Sequence, residues 1–221
     1  MARETRAQTA ERAAQILKAL RNEYGPVHSA LRYEDPWELL VATILSAQCT
    51  DVRVNEVTPE LFRRYPTIEQ FAEAEVEEIE AIVRPTGFYR NKARAIHESA
   101  RQIMSDFDGE MPDTMEELTQ LRGVARKTAS VVLQEVIKPG GPHDGVVVDT
   151  HVQRLSRRMG LVPATWENAD KIEKRLMEIY PREEWNLAFV FIEHGRAVCT
   201  ARKARCAECV VSDLCPRRGV Q

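Results

Sequence analysis

The chain of 221 residues is long enough for one large domain or two small ones, and 43% apolar with 29% charged residues is ordinary globular composition. No apolar run approaches the roughly 20 residues that span a bilayer, and "MARETRAQTAERAAQ" has no apolar stretch of signal-peptide length, so a cytoplasmic protein without a membrane partner is expected. A net charge of −3 excludes a non-specific polycation, yet base gathers in "RPTGFYRNKAR", "LRGVARK", "RLSRR" and "RAVCTARKARC", which together would make a local positive surface if folded onto one face.

Helix signals recur along the chain. Thr5 and Gln8 have capping-box spacing and precede a stripe of Ala13, Ile16, Leu17 and Leu20. Asp35, Pro36 and Glu38 supply an N-cap, a first-turn proline and a reciprocal carboxylate before "LLVATIL", which is apolar all round and reads as a buried central helix. Thr58-Pro59 reads as the start of another short helix, and Asp51 as a helix cap. Further boxes stand at Thr67 to Gln70 and Thr114 to Glu117, and between them Ala93, Ile96, Ala100, Ile103, Met104 and Phe107 form a 3.6-residue face. "KPGGPHDG", residues 138–145, breaks the pattern and marks a domain junction. "GVVVD" is the one β-branched stretch, too short to imply a sheet. Then come three amphipathic helices, "THVQRLSRRMG", "NADKIEKRLMEIY" and "EEWNLAFVFIEHG".

Two stretches carry chemistry. "MEELTQLRGVARKTASVVLQEV" reads as helix, tight glycine turn, helix. Backbone N–H groups at such a turn and the following helix N-terminus can hold a phosphate, with Gly123 giving close approach or a positive φ. The same pattern serves a helical connection without a ligand, and alone it does not choose. Lys127, on the first turn beside Arg126, is the residue to explain. The helix dipole and Arg126 both disfavour an ammonium there, and the ordinary reading, a solvated surface lysine, stays open at this point. In the tail, Cys199, Cys206, Cys209 and Cys215 follow the spacing Cys-x6-Cys-x2-Cys-x5-Cys. Four thiolates in a short loop suit a tetrahedral zinc or a [4Fe–4S] cluster; a single tight C-x2-C pair leans towards iron–sulfur and leaves zinc open.

"LLVATILSAQCTD", "TGFYRNKA", "LRGVARKTA", "VVVDTHVQRL" and the cysteine tail, in that order, resemble the endonuclease III family of base-excision repair glycosylases from about Pro36 to Cys215. The resemblance implies an all-α, two-lobed helix-hairpin-helix DNA glycosylase fold with a C-terminal iron–sulfur cluster loop. It implies a six-helix barrel domain over 29–139 carrying the hairpin, and a cluster domain joining 1–28 to 140–221. A [4Fe–4S] cofactor on the four tail cysteines follows, and so does a monomer acting on double-stranded DNA with damaged bases or abasic sites, at the nucleoid if the source is bacterial. By the same resemblance Lys127 is the nucleophile and Asp149 its partner. Asp149 also reads directly as an N-cap for "THVQRL", and a carboxylate can do both. Gln48 and Phe88 would fill the gap left by a flipped base. Arg122, Gly123, Val124, Ala125 and Arg126 of the turn, with Arg202 and Lys203 of the tail, would meet the DNA.

The family usually has Pro at Arg122, Gly at Ala125, Ala at Cys49 and Leu at Phe88. A positive φ at Ala125 would cost about 1 kcal/mol or more. Lys127 separates the chain from adenine and mismatch-thymine glycosylases of this architecture, which lack that lysine. A non-catalytic iron–sulfur DNA-binding or redox-sensing protein is the alternative from another class, and a zinc-stapled helical protein a third. His151 reads as structural.

Overall fold

A computed structural model describes residues 4–137, 139 and 145–220. Eleven α-helices are present among them: α1 (Arg6–Tyr24), α2 (Pro36–Ser46), α3 (Asp51–Arg64), α4 (Ile68–Glu73), α5 (Val76–Val83), α6 (Tyr89–Asp106), α7 (Met115–Leu118), α8 (Arg126–Val132), α9 (Thr150–Arg158), α10 (Ala169–Ile179) and α11 (Ala188–Ala197). There is no strand among the described residues; an isolated antiparallel bridge joins Cys199 to Ala204. No described helix is long and apolar enough to cross a membrane. Most of the junction read at 138–145 lies outside the described residues.

The chain divides into two compact units, Ser29–Pro139 and Met1–His28 with Gly140–Gln221. The first is built round α2. Asp35 caps it by accepting from the Glu38 amide at 2.8 Å, and Trp37, Leu39, Leu40, Val41, Ala42, Ile44 and Leu45 are all buried. A helix buried on every side needs apolar partners all round, and α3, α6 and α8 pack against it. α6 contributes Ala93, Ile96, Ala100 and Ile103, each fully buried. Met104, expected on that face, is 37% exposed.

In the second unit, Thr5 and Gln8 close the capping box of α1, and its Ala13–Leu20 stripe is buried where α1 packs on α10 and α11. Arg12 donates to the carbonyls of Met159 (2.7 Å) and Leu214 (3.1 Å) while pairing with Glu4, and the Tyr180 hydroxyl donates to Ala13 O. Those bonds tie the N-terminal helix to chain far downstream.

Several element boundaries differ from the sequence expectation. Thr58-Pro59 does not start a helix but lies inside α3, because Val54, Val57 and Leu61 form one buried stripe across the proline. Thr50, not Asp51, caps α3, accepting from the Arg53 amide; Asp51 sits in the first turn, where its charge meets the positive end of the dipole. Residues Arg182–Leu187 make a 3-10 turn, so α11 starts only at Ala188. Seven α-helical segments, α2 to α8, lie within Ser29–Pro139, two of which, α4 and α7, span only six and four residues.

Candidate active site

α7 and α8 are joined by a tight turn whose geometry depends on Gly123. Its φ is +76°, and a Cβ there would stand 2.7 Å from the Ala95 methyl on α6, so both conformation and space require glycine. The Ser99 hydroxyl donates to Arg122 O and the Arg122 amide donates to Gln102 Oε1, which fastens the turn to α6. The Arg122 guanidinium meets Glu98 at 2.7 Å, so its charge is shared within the protein. The Val124 side chain is buried and its amide donates to Leu121 O, within the turn. Ala125 is the N-cap with φ −82°, so the strain expected of a positive φ does not arise.

Arg126 and Lys127 are exposed on the first turn of α8, while Ala129, Ser130 and Val132 anchor the helix in the core. Beyond Val132 the chain turns π-helical over Leu133–Ile137. There Glu135 Oε1 accepts from the Ser29 amide (2.9 Å) and the Tyr33 hydroxyl (3.3 Å). Burial, then the Glu135 charge, pushes the Tyr33 phenol up to about 12.

Gln48 and Phe88 share an unusual backbone. Both are non-glycine residues with left-handed φ, 54° and 47°, and both are exposed, Phe88 by 65%. Such a conformation is uncommon for these residues. Gln48 follows α2 and Phe88 directly precedes α6. Between the two loops lies Lys92, on α6 and only 5% exposed, whose Nζ donates to Leu45 O and Thr86 O at 2.8 Å each. Burial lowers its pKa from the ordinary lysine value. Sequence reasoning missed Lys92: in the polar string "YRNKAR" a lysine reads as surface, although its position one before Ala93 puts it at the edge of the apolar stripe.

In the second unit Val146 and Val147 are buried and lead to Asp149, the N-cap of α9. Its Oδ1 accepts from the amides of His151 and Val152, both at 2.8 Å, which is the capping arrangement the sequence suggested. His151 packs against Gly195, where a Cβ would come within 2.7 Å of its Nδ1, and burial lowers its pKa below the ordinary 6.5. Arg154 and Arg158, one turn apart on α9, grip the tail. Arg154 donates to Gly195 O and Cys199 O, and Arg158 donates to the carbonyls of Cys199, Thr200 and Ala201 and reaches Cys199 Sγ at 3.4 Å.

Cys199, Cys206, Cys209 and Cys215 line one pocket together with Arg158 and His194. His194, 1% exposed, bridges the Tyr24 hydroxyl (2.9 Å) and Cys209 Sγ (3.4 Å). Burial, with the neighbouring thiols adding to it, pushes the Cys209 and Cys215 thiols up, so protons must leave when a metal takes the sulfurs. No three described His, Cys, Asp or Glu side chains close round one point as a single ion needs. Between Cys199 and Cys206, the Thr200 hydroxyl donates to Lys203 O and accepts from the Lys203 amide; Arg202 and Lys203 are left exposed at the tip of this small hairpin.

Comparison with known proteins places this geometry. Residues 41–182 match the family described as HhH-GPD superfamily base excision DNA repair protein. The endonuclease III of Synechocystis sp. is 51% identical over 207 residues, covering 93% of this chain and 92% of that protein. The endonuclease III of Bacillus subtilis is 41% identical over 187 residues, covering 84% and 83%. A trapped covalent intermediate of endonuclease III with DNA superposes with a TM-score of 0.86 at 37% identity, covering 94% of this chain and 96% of that one. The chain belongs to the endonuclease III family, in the HhH-GPD superfamily of base excision DNA repair proteins.

Proposed function

We propose that the chain is a bifunctional glycosylase and abasic-site lyase that removes oxidised pyrimidines from duplex DNA in the cytoplasm, acting as a monomer, with Lys127 as nucleophile. The observation that carries this is the placement of Lys127, exposed on the first turn of α8 behind the Gly123 turn, in a chain 37% identical to one trapped covalently on DNA. The damaged nucleotide swings out of the stack, and Gln48 and Phe88 occupy the gap it leaves. Asp149 takes the proton from the Lys127 ammonium, and Nζ then bonds to C1′ as the bond from C1′ to the base breaks. The base leaves with the electron pair and gains a proton. Nζ then passes a proton to O4′ as the C1′–O4′ bond breaks and the sugar ring opens; the protonated imine so formed makes a C2′ proton acidic, and its removal forms the C2′=C3′ double bond, expels the 3′ phosphate and cuts the strand. Arg126 at the hairpin and Arg202 and Lys203 on the tail supply cations for the phosphates, and Arg122 does so in competition with Glu98. Domain boundaries at 29–139 and at 1–28 with 140–221 go with this reading, the hairpin on one and the tail on the other.

The four tail cysteines would hold a [4Fe–4S] cluster. A single zinc would draw its sulfurs to about 2.3 Å from one point, whereas a cubane takes one thiolate at each of four corners of a larger body. The four cysteines share one pocket, and the spacing Cys-x6-Cys-x2-Cys-x5-Cys with its single tight pair supports the cubane reading. When bound, the cluster cross-links the tail and supplies a redox centre.

Borohydride trapping on abasic DNA tests the reading. Wild type is expected to form a covalent complex and Lys127→Ala to form none. Retained DNA binding without trapping of wild type would leave the non-catalytic DNA-binding alternative standing.

A further inference from the structure

The Lys92 ammonium is an expensive way to fill space. A buried cation costs free energy unless it is fully hydrogen-bonded, and a methionine would occupy the same channel without that cost. What the charge adds is a joint. Leu45 O lies in the last turn of α2, at the negative end of its dipole, and Thr86 O closes the 3-10 turn Arg84–Thr86. One nitrogen holds both carbonyls at 2.8 Å. Three residues after the first carbonyl comes Gln48, and two residues after the second comes Phe88. Both then turn into left-handed φ and emerge exposed.

We propose that Lys92 is a positioning residue for base excision: by binding Leu45 O and Thr86 O with one ammonium it fixes the spacing of the Gln48 and Phe88 loops, so that the two side chains enter the duplex as a single wedge. The inference rests on the glycosylase reading above. It predicts that the penalty for losing Lys92 falls on opening the duplex rather than on the chemistry of Lys127, and that it vanishes once the wedge side chains are gone.

The experiment compares single-turnover excision of an oxidised pyrimidine from duplex DNA with borohydride trapping on an abasic site in single-stranded DNA, which needs no wedge. Wild type, Lys92→Met, the Gln48→Ala/Phe88→Ala pair and the triple variant are each measured. Lys92→Met is expected to slow duplex excision about tenfold to a hundredfold, as misplacement by a fraction of an ångström to an ångström does. Its loss on the single strand should be at least about tenfold smaller. On the background lacking both wedge side chains, Lys92→Met should add less than about twofold, since coupled residues give non-additive losses. If the Met variant does not fold, Lys92→Arg, which keeps the donors in a different geometry, takes its place in the same cycle. Equal losses on both substrates, or losses that multiply on the truncated background, overturn the assignment while leaving Lys127 in its role. A wild type that neither excises the base from the duplex nor is trapped on the single strand overturns both readings.

Discussion

Gly123 shows how little latitude the hairpin has. Its φ of +76° belongs to a region that alanine enters at a cost of about 1–2 kcal/mol, and the added methyl would meet the Ala95 methyl at 2.7 Å on a helix that cannot recede. Gly123→Ala is expected to cost about 2–4 kcal/mol in urea denaturation. Adding Ala95→Gly should return the steric share and leave the share due to φ, so the double variant should lie between the two. The need for glycine at 123 was legible in "LRGVARK". The backbone of Gln48 and Phe88 was not, because positive φ leaves a mark in sequence only where glycine or asparagine adopts it. Cys49 and Asp51, which the sequence sets beside Gln48, show the same limit: the cap went to Thr50, one position earlier, and only the coordinates distinguish the two oxygens.

Helix existence was read well from caps and stripes, and boundaries less well. α1, α2, α4 and α7 start where Thr5, Asp35, Thr67 and Thr114 mark them, because each cap side chain accepts from an otherwise orphaned amide. α3 ran through Pro59 because buried Val54, Val57 and Leu61 outweigh one missing hydrogen bond. α9 links two parts of the site: Asp149 caps its start, and Arg154 and Arg158 hold the carbonyls of the cysteine tail from one face. That face was invisible in "THVQRLSRR", where every arginine reads as a solvated cation. Arg158→Met removes donors to three carbonyls and to Cys199 Sγ. It is expected to leave helicity by circular dichroism unchanged and, on the proposed iron–sulfur reading of the tail, to quicken loss of visible absorption in air several-fold. An unchanged rate would show that the tail holds its shape without α9.

Each of the two units has its own core, and this sets how damage spreads. Leu20 is fully buried in the unit that joins 1–28 to the later chain. Leu20→Ala is expected to cost about 2–5 kcal/mol and to raise amide exchange in α9, α10 and α11, with α2 and α6 keeping their protection. Uniform loss of protection over all five helices would show one cooperative unit instead. The stripe on α1 was plain in the sequence, but its partners were not, because α10 and α11 lie more than 140 residues away and nothing local announces them. Only the resemblance supplied that pairing. The same arrangement has a consequence on the ribosome. α1 is made long before α11, the last helix it packs on, which ends at Ala197. At about 5–20 residues per second its apolar stripe waits roughly ten to thirty-five seconds for that partner, while residues 29–139 can close around α2 on their own. The nascent chain thus carries an adhesive helix until residue 197 has been added, and the four tail cysteines stand together only once residue 215 has been made.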